Sequence, residues 1–154
     1  AVVLLMMVLM FVGASPGSTG GGIKTTTAAV LLGAIPALAR RKPEIIFHGR
    51  RIALDTVYRS AAIAVVGGGI VLGGSWLLLV SQGQDPGALI FEAFSAFGTV
   101  GLSLGATGQL DGAGKIVIIL LMFAGRVGPL TLAILLGSRR EGLIGYPEAR
   151  IMVG

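Results

Sequence analysis

Two glycine-broken stretches hold the residues of this 154-residue chain whose types and spacing point to chemistry. The first is Gly13-Ala14-Ser15-Pro16-Gly17-Ser18-Thr19-Gly20-Gly21-Gly22-Ile23-Lys24, and the second is Gly98-Thr99-Val100-Gly101-Leu102-Ser103. Both lie inside apolar runs. A helix through the first would lose about 1 kcal/mol at each glycine and about 3 kcal/mol at Pro16, so a loop is expected there. In the second, unwound backbone would present the carbonyls of Thr99, Val100 and Gly101, which can replace part of a cation's hydration shell. Irregular backbone at membrane depth is tolerated only where protein buries it or where it lines a wet cavity. The chemistry these residues fit is therefore passage of a cation, not bond making.

Other chemistries fit less well. The first stretch resembles a phosphate-binding loop, G-x-x-x-x-G-K-[ST], but Ile23 separates Gly22 from Lys24 and no βαβ pattern follows. Cysteine is absent, which removes disulfides, zinc–thiolate sites and thiol catalysis. The single histidine, His48, sits in a basic loop. No carboxylate pair, nucleophile or metal cluster has supportive spacing, so no enzyme and no bound cofactor is expected.

The elements that must position these stretches follow from hydropathy. The chain is 54% hydrophobic and 12% charged, with a mean hydropathy of +0.91. A soluble domain of this size needs a more polar surface. The first apolar segment starts at Ala1, breaks at Gly13 to Gly22 and resumes from Ile23 to Leu38. The second, Ser60 to Val80, is about 30 Å long as a helix, one bilayer crossing. The third, Pro86 to Leu110, is interrupted by Gly98, Gly101, Gly105 and Gly108; the fourth runs from Ile116 to Gly137. The opening of the chain inside an apolar run, with no initiator Met or polar leader, leads to the expectation of a piece of a longer protein.

Charge sets the topology. Arg40, Arg41, Lys42, Arg50, Arg51 and Arg59 cluster between the first two segments, and Arg139, Arg140 and Arg150 follow the fourth. Both regions are expected on the cytoplasmic side, and the net charge of +5 reflects this rather than nucleic acid. The third segment must then begin and end outside, which makes it re-entrant. Asp85-Pro86 reads as an N-cap followed by proline at the first helical position. Ala88 to Phe97 is too short to span but long enough to descend halfway. The C-terminus of that half-helix would place partial negative charge at the turn, which favours a cation.

Two ionisable residues fall within the expected spans. Lys24 either faces a cavity or snorkels to the interface. Arg126 lies well inside the fourth segment and is expected to project toward the pore below the turn, where it raises a barrier to cations. Gly69-Ile70-Val71-Leu72-Gly73 is a GxxxG pattern, read as close helix packing. Glu92, on the half-helix, is expected to be a solvated or hydrogen-bonded surface carboxylate, with attraction of the ion as the alternative role.

The stretches MFVGASPGSTGGGIKTTT, FEAFSAFGTVGLS, MFAGRVGPLTLA and YPEARIMVG resemble the Trk/Ktr/HKT superfamily of potassium transporters, most closely its KtrB (NtpJ-like) type. The resemblance covers nearly the whole chain. It implies an all-α membrane fold of helix–pore-loop–helix repeats around one pore, multi-pass in the plasma membrane. It divides the chain into the last helix of a third repeat (1–40, with an intramembrane gating loop at 13–24) and a cytoplasmic linker (41–56). A fourth repeat (57–138, pore helix 86–97, filter 98–103) and a cytoplasmic tail (139–154) follow. Gly13, Ser15, Gly17, Ser18, Thr19, Gly20, Gly21, Gly22 and Lys24 would belong to the gate, and Thr99, Val100, Gly101 and Leu102 to the filter. Potassium would sit at the backbone carbonyls of Thr99, Val100 and Gly101, and Arg126 would reach the pore. The Tyr-Gly that ends a potassium-channel filter is replaced here by Leu102-Ser103. The resemblance also implies a homodimer and a cytosolic nucleotide-binding regulatory ring. Transport of potassium, sodium-assisted, is the leading reading; a sodium transporter of the same fold and a non-conducting membrane scaffold are the alternatives.

Overall fold

The computed structural model describes residues 1–39, 45–47 and 50–128. Their backbone forms five α-helices, a two-stranded antiparallel pair and one 3-10 turn. The fourth apolar segment is described only as far as Gly128. The basic tail and most of the Arg40 to Arg51 linker lie outside the described residues.

Helix α1 (Val2–Val12) is apolar on every side and stops at Gly13, whose φ of 64° a side chain would resist. Chain then runs without helix to Lys24, and α2 (Thr25–Ala39) resumes, carrying Pro36 inside it. The broken first segment is thus observed as two helices separated by the glycine-rich loop. In the linker, β1 (Ile45–Phe47) pairs with β2 (Arg50–Ile52), in the register Ile45 to Ile52, Ile46 to Arg51 and Phe47 to Arg50. This short strand pair sits among five α-helices and leaves the all-α class of the described residues unchanged. Its β-branched and aromatic residues, Ile45, Ile46, Phe47 and Ile52, favour extended backbone.

Helix α3 (Leu54–Ser81) starts six residues before the expected span and has 28 residues. Among the described residues it is the one helix long and apolar enough to cross a membrane. Trp76 and Val65 on its flank are 63% and 74% exposed, a placement water would penalise and lipid or neighbouring apolar chain would not. The GxxxG pair does not pack within the described chain: nothing comes within 4 Å of where a Cβ at Gly69 or Gly73 would lie. The close approach is made one residue later, where a Cβ at Gly74 would stand 2.6 Å from Leu121. Helical phase explains this, because Gly74 is on the side facing α5 and Gly73 is not.

Helix α4 (Pro86–Gly98) begins as expected: the Asp85 carboxylate accepts from the Ala88 N–H at 2.8 Å, with Pro86 at the first position. It is the most enclosed element, with Leu89, Phe91, Ala93 and Phe97 at most 2% exposed. Helices α1, α3 and α5 (Gly112–Val127) all pack on it. Leu78 of α3, Leu89, Ala93 and Ala96 of α4, and Ile118 and Leu121 of α5 form one core. Met7 and Met10 of α1 meet Phe91 in a second. Phe11 stacks on Phe97 at 6.0 Å and meets Phe94 edge-on at 6.1 Å.

Helix α5 is capped by Asp111, which accepts from the Gly114 N–H at 2.7 Å and from Gln82 Nε2 at 2.6 Å. Gln82 Oε1 in turn accepts from the Asp111 N–H at 3.2 Å, tying the end of α3 to the start of α5. The Gly114 amide, and after it the Gln82 carboxamide, hold the Asp111 carboxyl below the ordinary aspartate range. A carboxyl whose folded pKa is depressed stabilises the fold above its unfolded pKa of about 3.9 and loses that contribution as pH falls through the folded value. Asp111→Ala is therefore expected to lower the melting temperature of detergent-solubilised protein at pH 7. The gap from the parent should narrow below pH of about 4. A gap that does not change between pH 7 and pH 3 counts against this coupling.

Candidate functional site

The turn that follows α4 is built on strain. Thr99, with φ 52° and ψ 37°, is the single non-glycine residue of positive φ among the described residues. A β-branched residue pays of order 1–3 kcal/mol for that conformation, so the surrounding structure must hold it. Its N–H donates to the Ala96 carbonyl at 3.1 Å, and the Val100 N–H donates to the Ser95 carbonyl at 3.0 Å. The helix-ending bonds thus force the chain out of α4 and into an extended limb through Gly101 (φ 83°) and Gly105 (φ 93°). The helix break falls at Thr99, inside the Gly98–Gly101 stretch expected to cause it, and Gly98 is still helical.

The first glycine-broken stretch, Gly13 to Lys24, lies directly against this turn. Residues 15–20 are exposed, but Gly21, Gly22 and Ile23 are buried. The Gly21 N–H donates to Thr99 Oγ1 at 2.7 Å, across 78 positions of sequence. Glycine is required at that contact: a Cβ on Gly21 would stand 2.8 Å from the Phe97 carbonyl oxygen and 2.8 Å from Thr99 Cγ2. The loop is held to α1 by the Ile23 N–H on the Phe11 carbonyl at 3.0 Å, and the Thr25 N–H of α2 closes back on the loop's Ala14 carbonyl at 3.2 Å. Two more close approaches converge on the same turn. A Cβ on Gly98 would meet the Met10 carbonyl oxygen at 2.6 Å, and a Cβ on Gly125 of α5 would collide with the carbonyl oxygen of Phe97.

Beside the turn is an open cavity of about 400 Å³ lined by Thr99, Gly101, Met122, Phe123 and Arg126. Three of the residues singled out from sequence therefore share one space. Val100 and Leu102 are 46% and 49% exposed and do not line it. Lys24 is exposed at the end of the loop, away from this cavity. Arg126 lines this cavity, and α5 ends at Val127, with Gly128 at φ 91° as its cap. The guanidinium thus sits in a last helical turn, where it complements the helix dipole as well as facing the cavity.

Glu92 is hydrogen-bonded, one of the states expected for it, but at 5% exposed it is buried and not on the surface. Its Oε1 accepts from the Ser103 hydroxyl and its Oε2 accepts from Thr107 Oγ1 at 2.7 Å. Ser103 Oγ also accepts from the Gly105 N–H at 2.9 Å. Hydrophobic pattern alone placed Glu92 on a half-helix but could not say that the chain eleven and fifteen residues on would fold back over it. The close contact of Gly125 was likewise unreadable, because nothing local distinguishes it from a packing glycine. Among the described residues no group of three or more His, Asp or Glu is placed to hold a metal ion.

Comparison with known proteins converges on one group. The family described as "TrkH: Cation transport protein" matches residues 1–139. The Ktr system potassium uptake protein B of Vibrio alginolyticus is 42% identical over 151 residues, 98% of this chain and 33% of that protein. The Ktr system potassium uptake protein D of Bacillus subtilis is 40% identical over 147 residues, 95% of this chain and 33% of that protein. The potassium/sodium uptake protein NtpJ of Enterococcus hirae is 39% identical over 158 residues, covering 98% and 35%. The chain spans about a third of the length of these curated relatives.

Proposed function

This chain belongs to the TrkH family of cation transport proteins, and on that premise we propose that it supplies one filter quarter and the gate of a potassium uptake pathway in the cytoplasmic membrane. The family is one of transporters, not of enzymes. The observation that carries the reading is the Gly21–Thr99 hydrogen bond, which joins the two glycine-broken stretches at the C-terminus of α4. A strained turn at the negative end of a short, enclosed helix is suited to offering carbonyls to a cation. A glycine-rich loop latched to it by one hydrogen bond is suited to moving. Such a bond contributes about 1 kcal/mol net, little enough for the loop to open on thermal fluctuation.

On this reading α4 is the pore helix of a re-entrant segment, residues 98–103 form the filter quarter, and residues 13–24 form the gate. Potassium contacts the carbonyls of Thr99, Val100 and Gly101, and the remaining quarters come from the rest of the protein. The regions around the hairpin and after α5 face the cytoplasm, where their arginines fit both the positive-inside rule and docking of a regulatory nucleotide-binding ring on a homodimer. Sodium is the second reading for the transported ion, favoured by the name of the Enterococcus hirae relative.

The complete gene that encodes this chain is expected to restore growth on limiting potassium to a strain without its own uptake systems. Failure to do so, with the protein present in the membrane, rejects potassium uptake and leaves sodium transport or scaffolding. Arg126 tests the electrostatics. Its charge beside the path raises a barrier of about 1 kcal/mol at the dielectric of a wet cavity, so Arg126→Ala should speed uptake a few-fold. An unchanged rate counts against a pore-facing role.

A further inference from the structure

We propose that Glu92 is a positioning residue for ion selectivity, holding the return limb of the filter turn from behind through the hydroxyls of Ser103 and Thr107. The proposal rests on the filter reading above. The limb from Val100 to Gly105 has no regular secondary structure, is exposed along its length, and contains two glycines of positive φ. Such a segment has many conformations of similar energy unless something outside it selects one.

Glu92 is placed to do so. It sits on α4 two helical turns before Thr99, on the most enclosed element of the structure, so its backbone is fixed by packing. Each carboxyl oxygen is taken by a different hydroxyl, Ser103 at Oε1 and Thr107 at Oε2. Thr107 Oγ1 also lies 3.2 Å from Ser103 Oγ, but a hydroxyl has one proton, and the shorter approach to the carboxyl takes it. Ser103 Oγ then accepts the Gly105 N–H, which fixes the glycine between the two anchor points. Two anchors on one rigid helix set both the position and the direction of the limb that leaves Gly101. Carbonyl positions a few tenths of an ångström apart decide how well a filter replaces water around ions of different radius. A clamp behind the limb should therefore act on ion preference more than on assembly.

The test uses the complete gene product in an uptake-deficient strain, with rubidium uptake measured against competing sodium. Glu92→Gln, Ser103→Ala and Thr107→Val are compared with Gly101→Ser, and membrane abundance is followed for each. Glu92→Gln keeps the shape but offers one accepting oxygen in place of two. Each clamp variant is expected to lower potassium-over-sodium preference about tenfold, the size of losing a hydrogen bond to a buried charged group, at undiminished abundance. The double variant Glu92→Gln/Ser103→Ala should be little worse than either single one, because the two residues act through one contact. Clamp variants that keep their preference while Gly101→Ser loses it overturn the inference and leave the filter reading standing. Loss in Glu92→Gln without loss in Ser103→Ala or Thr107→Val also overturns it, since charge alone would then be acting. If Gly101→Ser itself keeps the preference, the filter reading falls and the inference with it. Should Glu92→Gln fail to reach the membrane, the two hydroxyl variants decide the matter alone.

Discussion

Gly125→Ala is expected to reduce transport by more than about tenfold, because the added methyl would overpack the contact between α5 and the turn after α4. At this position a Cβ would collide with the carbonyl oxygen of Phe97. The colliding partner is backbone, so no rotamer change relieves it. Either α5 retreats or the last turn of α4 is displaced, and Phe97 is two residues from Thr99. Overpacking of this kind costs about 1–3 kcal/mol, and a displacement at the turn moves the carbonyls proposed to contact the ion. Gly112→Ala is the matched control. It lies at the first turn of the same helix with nothing within 4 Å of the new methyl, and it should transport normally. Comparing initial uptake rates at equal membrane abundance checks the pair. Full activity in Gly125→Ala would mean that the two helices do not approach as described.

Gly101→Ser should leave protein in the membrane but degrade its discrimination between potassium and sodium. The φ of 83° at Gly101 is one that an L-residue adopts at a cost of roughly 1–2 kcal/mol. Space is not the obstacle, since nothing lies within 4 Å of the added Cβ. The strain is purely conformational, and the limb relieves it by rotating the peptide groups on either side. Those are the groups proposed to contact the ion. A selectivity loss of about tenfold is the expected scale for a shift worth 1.4 kcal/mol. Undiminished selectivity would weigh against the filter at residues 98–103. Gly101→Ser and Gly125→Ala thus probe the same turn by different routes, one through local φ and one through contact from another helix.

Much of the architecture was legible from local rules. Asp85-Pro86 marked the start of α4 because a capping carboxylate and a proline need only their nearest neighbours to act. The break in the first apolar segment was legible because glycine and proline costs are paid residue by residue. Residues 13–24 are accordingly non-helical between α1 and α2. The limits are equally specific. Gly69 and Gly73 match a packing pattern, yet Gly74 makes the close contact, since a helix's rotation about its axis is set by what it packs on. The strand pair 45–47 and 50–52 is not legible in the sequence, because three-residue strands carry almost no periodicity.

What the chain's order of residues determined by itself was the membrane character, the two places where helix must stop, and the family. These follow from hydropathy, backbone preference and local motif, all of which act over a few neighbours. What the tertiary structure alone decided was that the two breaks meet. Gly21 bonds Thr99, Gly125 abuts Phe97, and Glu92 takes Ser103 and Thr107. Contacts such as Gly21 on Thr99, 78 positions apart, depend on how α1, α4 and α5 close-pack, and that packing is a collective solution for many side chains.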